Sequence, residues 1–116
     1  MKVGEICFLT NDVLQLSAFY SRLLGIENHS SDPVHQTLIS EETMLTIFND
    51  GSLKENNNRN MCIAFTVENM DEAYQQVLST VAQVLQPPAR QPWGTVNMCL
   101  LDPDNNQVYL RCFPKE

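Results

Sequence analysis

Positive charge is scarce in this sequence. Seven Lys and Arg stand against fourteen Asp and Glu, a net charge of −7. Nucleic-acid binders draw much of their affinity from Lys and Arg on phosphates. Here those residues are few and scattered, so no nucleic-acid partner is expected. An acidic chain is not drawn to an anionic membrane surface either, and cationic or neutral amphiphilic ligands suit it better than strongly anionic ones. Long apolar runs are also missing: nothing approaches the roughly 20 residues that a membrane-spanning helix needs. The opening segment "MKVGEICFLTND" meets Glu5 too early for the apolar core of a signal peptide. The expected location is therefore cytoplasmic. None of the four cysteines, Cys7, Cys62, Cys99 and Cys112, sits in a CxxC pair. That argues against a structural zinc knuckle, and in the cytosol these thiols are expected to be reduced.

What is there is enough for one domain. A chain of 116 residues with 43% hydrophobic content can bury about two-thirds of the surface its unfolded form exposes. It needs neither disulfide nor metal simply to fold.

Along the chain, "VGEICFLT" (3–10) alternates as a strand, with Glu5, Cys7 and Leu9 on one face and Ile6 and Phe8 on the other. Asn11 or Asp12 can cap the helix that follows, because a short polar side chain accepts an orphan backbone N–H. Leu16, Phe19, Tyr20, Leu23 and Leu24 recur at helical spacing. Gly25 stands where a helix ends in a left-handed residue. "QTLIS" and "TMLTIFN" read as strands joined at "EE", and the Asn-rich stretch 49–60 reads as a linking loop.

The second half repeats the plan. "MCIAFTVEN" is a strand with a polar cap, and "MDEAYQQVLSTV" is a helix with Met70, Ala73, Tyr74, Val77 and Val81 on one side. "AQVLQ" is a strand and "PPARQPWG" a loop. "TVNMCLLD" and "QVYLRCF" are strands joined through "DPDNN", where Pro103 and Asn105 suit a tight turn. Strand, cap and aromatic-bearing helix thus recur at about half the chain length.

"FYSRLLG" after a first strand, an acidic-capped helix after the middle strand, and "PWG" with "DPDNN" before the last strand together resemble the vicinal oxygen chelate superfamily. This is the family of glyoxalase I, the bleomycin and fosfomycin resistance proteins and the extradiol dioxygenases. The resemblance spans nearly the whole chain. It implies an α+β fold in which paired βαβββ modules form a half-open, cup-shaped mixed sheet. The first module would cover about 1–50 and the second about 60–116, within a single domain over 1–116. It also implies a homodimer and a small-molecule ligand held in the cup, sometimes over a divalent metal.

Metal-binding relatives take His, Glu or Gln ligands from four strands. The resemblance puts those positions at Glu5, Thr46, Cys62 and Tyr109. Three of the four depart from the pattern. Threonine is a poor ligand, as is a tyrosine phenol with its usual pKa of about 10. His29 and His35, in "ENHSSDPVHQ", read as loop or edge residues away from these positions. The expectation is a metal-free small-molecule binding or sequestering protein with no cofactor. The alternative is a divalent-metal-dependent lyase, isomerase or dioxygenase with an altered ligand set. A third reading is an interaction protein whose cup has closed.

Within the cup, the expected ligand-binding residues are Glu5, Cys7, Phe48, Cys62, Trp93, Asn97, Cys99, Tyr109 and Arg111, with Leu101 and Phe113 as further apolar lining. Trp93 either stacks on a ligand or packs under its own loop or at the dimer interface. Tyr109 needs a hydrogen-bond partner, and Glu5 is the candidate. Cys7, Cys62 and Cys99 are either small buried hydrophobes or reactive thiols, in which case Arg111 is the candidate cation to activate them.

Overall fold

The structure, a computed structural model, describes residues 1, 3–52, 55 and 62–114. It consists of two compact units, Met1–Glu55 and Asn56–Glu116. Most of the expected linking loop lies outside the described residues.

In the first unit, strand β1 (Ile6–Leu9) leads into helix α1 (Val13–Leu24), then β2 (His35–Ser40) and β3 (Thr43–Phe48). Asp12 is the cap that the sequence left open against Asn11: its side chain accepts from the Gln15 N–H at 3.0 Å. Gly25 ends α1 with φ 67°, a left-handed conformation that glycine adopts without steric cost. The sheet order is β1-β3-β2, with β1 parallel and β2 antiparallel to the central β3. Helix α1 packs on β2 and β3. It buries Val13, Leu16, Phe19 and Tyr20, and the strands bury Leu38, Leu45 and Ile47. The Tyr20 ring stacks on Phe8 at 4.9 Å between centroids. The apolar stripe on α1 is shifted from the expected one, because Leu23 and Leu24 are only half-buried while Val13 is fully buried. The described residues of this unit give three strands where a full module has four.

The second unit carries the full βαβββ order: β4 (Ile63–Thr66), α2 (Met70–Leu78), β5 (Gln83–Arg90), β6 (Val96–Leu101) and β7 (Gln107–Cys112). Its sheet runs β4-β7-β6-β5, with β4 parallel to β7 and the other pairs antiparallel. Asn69 caps α2 by accepting from the Glu72 N–H at 3.1 Å, as Asp12 caps α1. Helix α2 packs on β7 and β5. Met70 and Val77 are buried on it, and Met98, Leu100, Val108 and Leu110 are buried in the sheet.

Two expectations fail here for physical reasons. The helix expected over 70–81 stops at Leu78, because the Ser79 and Thr80 hydroxyls donate back to the Gln76 and Val77 carbonyls, both at 2.6 Å. Val81 is therefore not on the helix and is 88% exposed. The segment "PPAR", expected as loop, continues β5 to Arg90. Proline has no N–H to donate and is tolerated at sheet edges and irregularities. β5 is the edge strand, and its register on β6 shifts on either side of Gln86.

Candidate functional site

Each sheet has one face covered by its helix, and strand alternation puts the expected site residues on the other. They divide into one set per unit.

In the first unit Glu5 lies just ahead of β1, and Cys7 stands opposite Thr46 in the β1–β3 register. Thr46 Oγ1 donates to Glu5 Oε2 at 2.7 Å. Thr46 is 4% exposed, so its hydroxyl is committed to a neighbour rather than to solvent. Phe48 closes this face, with the His35 ring edge-on at 5.6 Å. Cys7 is exposed. Partial burial, then the Glu5 and Asp50 carboxylates, push its thiol pKa up.

His35 corrects the sequence reading. It is not remote from the candidate positions: it opens β2 opposite Phe48, with Thr37 two residues on and opposite Thr46. The two-residue "EE" turn contains the signal for this, because a tight hairpin dictates which residues face each other. His29 is as expected, an exposed residue paired with Glu27 at 3.2 Å.

In the second unit Tyr109 on β7 lies opposite Cys99 on β6 and beside Ala64 on β4. Cys62 immediately precedes β4 and is exposed, while Cys99 is buried. The Tyr109 phenol and the Cys99 thiol face each other across the strand pair, and each influences the other's ionisation. Cys99 is pushed up by burial, with Cys62 adding to the shift and the Tyr109 bond opposing it. The charge that Cys99 would carry, followed by burial, pushes Tyr109 up as well. Within its own unit Tyr109 faces Cys99, directly across the strand pair, and Glu5 is engaged by Thr46 in the other. Cys112, on the helix side, is buried and directs its Sγ at the Glu68 carbonyl, 3.5 Å away.

Arg111 lies one pleat beyond Tyr109 on the same face. Its Nε donates to Thr66 Oγ1 at 2.9 Å, and its guanidinium lies over the Phe113 ring at 5.3 Å from the centroid. The groups that shift Cys99, beside burial, are Tyr109 and Cys62, and Arg111 is not among them. Asn97 is opposite Arg111, and its Oδ1 accepts from Thr95 Oγ1 at 2.8 Å. Leu101 is half-buried at the far end of β6. Trp93 sits in the turn that joins β5 to β6, closed by the Gly94 N–H on the Gln91 carbonyl at 2.9 Å. It is 70% exposed, so it does not pack under its own loop. Thr66 and Thr95, which hold Arg111 and Asn97, were not singled out from the sequence. Thr95 is readable as an i, i+2 neighbour of Asn97, but the β4–β7 register that brings Thr66 to Arg111 is not.

A sequence profile of the glyoxalase/bleomycin resistance protein/dioxygenase superfamily matches residues 2–110. The chain belongs to this superfamily. No curated protein sequence matches it significantly. Among solved structures it is similar to a glyoxalase/bleomycin resistance protein/dioxygenase family enzyme from Burkholderia phytofirmans PsJN (TM-score 0.82, 15% identity, 98% of this chain and 100% of that one). A glyoxalase-related enzyme from Fulvimarina pelagi gives a TM-score of 0.79 at 17% identity, covering 97% and 88% of the two chains. A glyoxalase/bleomycin resistance protein/dioxygenase from Alicyclobacillus acidocaldarius gives 0.74 at 18%, covering 98% and 92%. At these identities the likeness is one of fold. The α+β architecture, two open mixed sheets of three and four strands with two helices, is that of the superfamily.

The residues at the superfamily's metal-ligand positions do not fit a divalent ion. Glu5 is the only carboxylate among them, and one of its oxygens is taken by Thr46. The Tyr109 phenol is pushed further from ionisation, not toward it. A catalytic divalent site typically takes about three good protein ligands and an open position. Among the described residues no group of three or more His, Cys, Asp or Glu side chains is placed to hold a metal ion. Nor, among them, is any helix long and apolar enough to cross a membrane.

Proposed function

We propose that this chain is a metal-free small-molecule binding protein of the superfamily, acting in the cytoplasm as a homodimer, with the ligand on the open sheet faces. The observation that carries this reading is the donor chemistry at the four metal positions. Thr46 and Glu5 engage each other, and Tyr109 and Cys99 engage each other. Glu5 and Thr46 are committed to each other, and Cys62 and Tyr109 are not the His, Glu or Gln donors that metal-binding relatives use. In the second unit the exposed Trp93 and Phe113 and the half-buried Leu101 provide apolar area. The fixed Arg111 and Asn97 provide polar points of attachment. A mostly apolar surface with a few placed polar groups is the usual composition of a small-molecule site.

Elemental analysis of untagged protein, purified under reducing conditions without chelator, tests the reading. The expected result is no stoichiometric metal and no thermal shift on adding zinc, manganese, iron, nickel or copper. Near-stoichiometric metal overturns it and makes Glu5 the first residue to substitute. Light scattering on the same sample tests the dimer.

A further inference from the structure

The chain as a whole is acidic, but one end of the second sheet's open face is not. Arg111 is fixed there on two sides. Its Nε is bonded to Thr66, and its flat face rests on Phe113. Neither contact uses the two Nη groups, and among the described residues the guanidinium has no ion pair. Directly across the strand pair, the Asn97 amide has its oxygen occupied by Thr95. What it has left to give is its N–H₂. Cross-strand neighbours have Cβ atoms about 5 Å apart, so these N–H donors share one small area. Two exposed aromatic rings belong to the same end of the unit: Phe113 beneath Arg111, and Trp93 four residues before Asn97 at the hairpin turn.

We propose that Arg111 and Asn97 form a carboxylate-recognition point, and that the ligand is a small monocarboxylate with an apolar body of aromatic size. This rests on the small-molecule binding reading above. A guanidinium held by its Nε and one face still offers a planar edge of N–H groups, which matches the two oxygens of a carboxylate. The anchoring contacts remove most of the rotamer freedom that an exposed arginine would lose on binding. Charge decides between anions. Among the described residues the cation on this face is Arg111, on a chain of net charge −7. That balances one negative charge and penalises the two of a phosphate monoester. The apolar body follows from the exposed Phe113 and Trp93, which offer flat surface beside the charge. The expectation from composition, that cationic or neutral compounds suit the chain best, is thus reversed locally.

The test uses the full chain, ¹⁵N-labelled, titrated with benzoate, benzyl alcohol, benzylamine and inorganic phosphate. The signals read are the Asn97 side-chain amide and the Arg111 Nε–H. Benzoate is expected to shift both signals and to bind at least about tenfold more tightly than benzyl alcohol. Arg111→Lys, which keeps the charge but loses the fork, is expected to weaken benzoate about tenfold and to leave benzyl alcohol unchanged. Asn97→Ala is expected to weaken benzoate severalfold. Unchanged melting temperatures identify which variants report on binding rather than folding. Equal affinity for benzoate and benzyl alcohol, or benzoate binding indifferent to both variants, overturns the carboxylate assignment and leaves small-molecule binding intact. Tighter binding of benzylamine also overturns it. Phosphate shifting the two signals where benzoate does not replaces carboxylate by phosphate. No response to any probe removes the assignment, while the metal analysis judges the wider reading independently.

Discussion

Thr46 Oγ1 donates to Glu5 Oε2 at 2.7 Å, joining the middle strand of the first sheet to the residue that precedes its edge strand. The resemblance to metal-binding relatives puts ligand positions at these two residues, and here they bond to each other. Thr46→Val keeps the shape and removes the donor. It is expected to cost about 1 kcal/mol, the usual net worth of such a bond, with the exposure of Glu5 keeping it modest. Urea denaturation measures this, and an unchanged midpoint would show that the bond contributes nothing.

Burial and neighbouring charge raise the Cys99 and Tyr109 pKa values. In both cases the folded state holds its proton more tightly than the unfolded chain, so the stabilisation is complete below the unfolded pKa. It is lost as pH rises through the folded values. Stability is therefore expected to fall above about pH 9, the ordinary thiol value used for Cys99. Cys99→Ala should flatten that decline, whatever it costs at pH 7. Denaturation midpoints from pH 7 to pH 10 provide the comparison, and parallel curves for the two proteins would contradict the expectation.

The Tyr109 bond opposes the rise in the Cys99 pKa. Tyr109→Phe removes the hydroxyl and little else. Cys99 is then expected to ionise at still higher pH and to alkylate more slowly with iodoacetamide across the alkaline range. Faster alkylation would mean that the hydroxyl shields the sulfur instead of stabilising its charge.

Asp102 holds the turn between β6 and β7. It is 4% exposed, and its carboxylate accepts from the Asp104 N–H, the Asn106 N–H and the Asn106 side chain at 2.8–2.9 Å. Asp102→Ala leaves three part-buried donors without this acceptor and is expected to cost about 1–3 kcal/mol. Asn105, at φ 62° in the same turn, already has a conformation that asparagine tolerates. Asn105→Gly should stay within about 0.5 kcal/mol of the parent, and Asn105→Val should be clearly destabilising. Thermal melts of the three variants rank them.

Among the described residues Glu41 is the other non-glycine residue with a left-handed backbone, φ 54° at the first position of the "EE" hairpin turn. A carboxylate side chain gains nothing from that conformation. Glu41→Gly is expected to stabilise the chain by about 0.5–1 kcal/mol, by relieving the steric cost that glycine avoids. A lower melting temperature would show that chain entropy outweighs the relief.

The fold was legible in the sequence because its signals are local. Asp12, Asn69 and Gly25 mark helix ends through contacts made within a few residues, and a period of two or of 3.6 sorts each segment into strand or helix. The faces followed as well. Once a strand is assigned, Glu5 and Cys7 must lie on one side, as must Tyr109 and Arg111. The "EE" turn even dictates that His35 faces Phe48. Where the local reading failed, a second local force had won. The Ser79 and Thr80 hydroxyls ended α2 early. The edge position of β5 let a strand run through two prolines.

Which partner each polar side chain takes was not legible, because it depends on registers between strands far apart in sequence. Parallel β1–β3 pairing brought Thr46 to Glu5, and parallel β4–β7 pairing brought Thr66 to Arg111. Antiparallel β6–β7 pairing set Cys99 against Tyr109 and Asn97 against Arg111. A shift of one residue in any of these would turn the side chains to the opposite face. The sequence by itself determined an acidic α+β chain without the usual metal donors. Only the tertiary structure decided that Thr46 bonds to Glu5 and that Arg111 is held by Thr66 and Phe113.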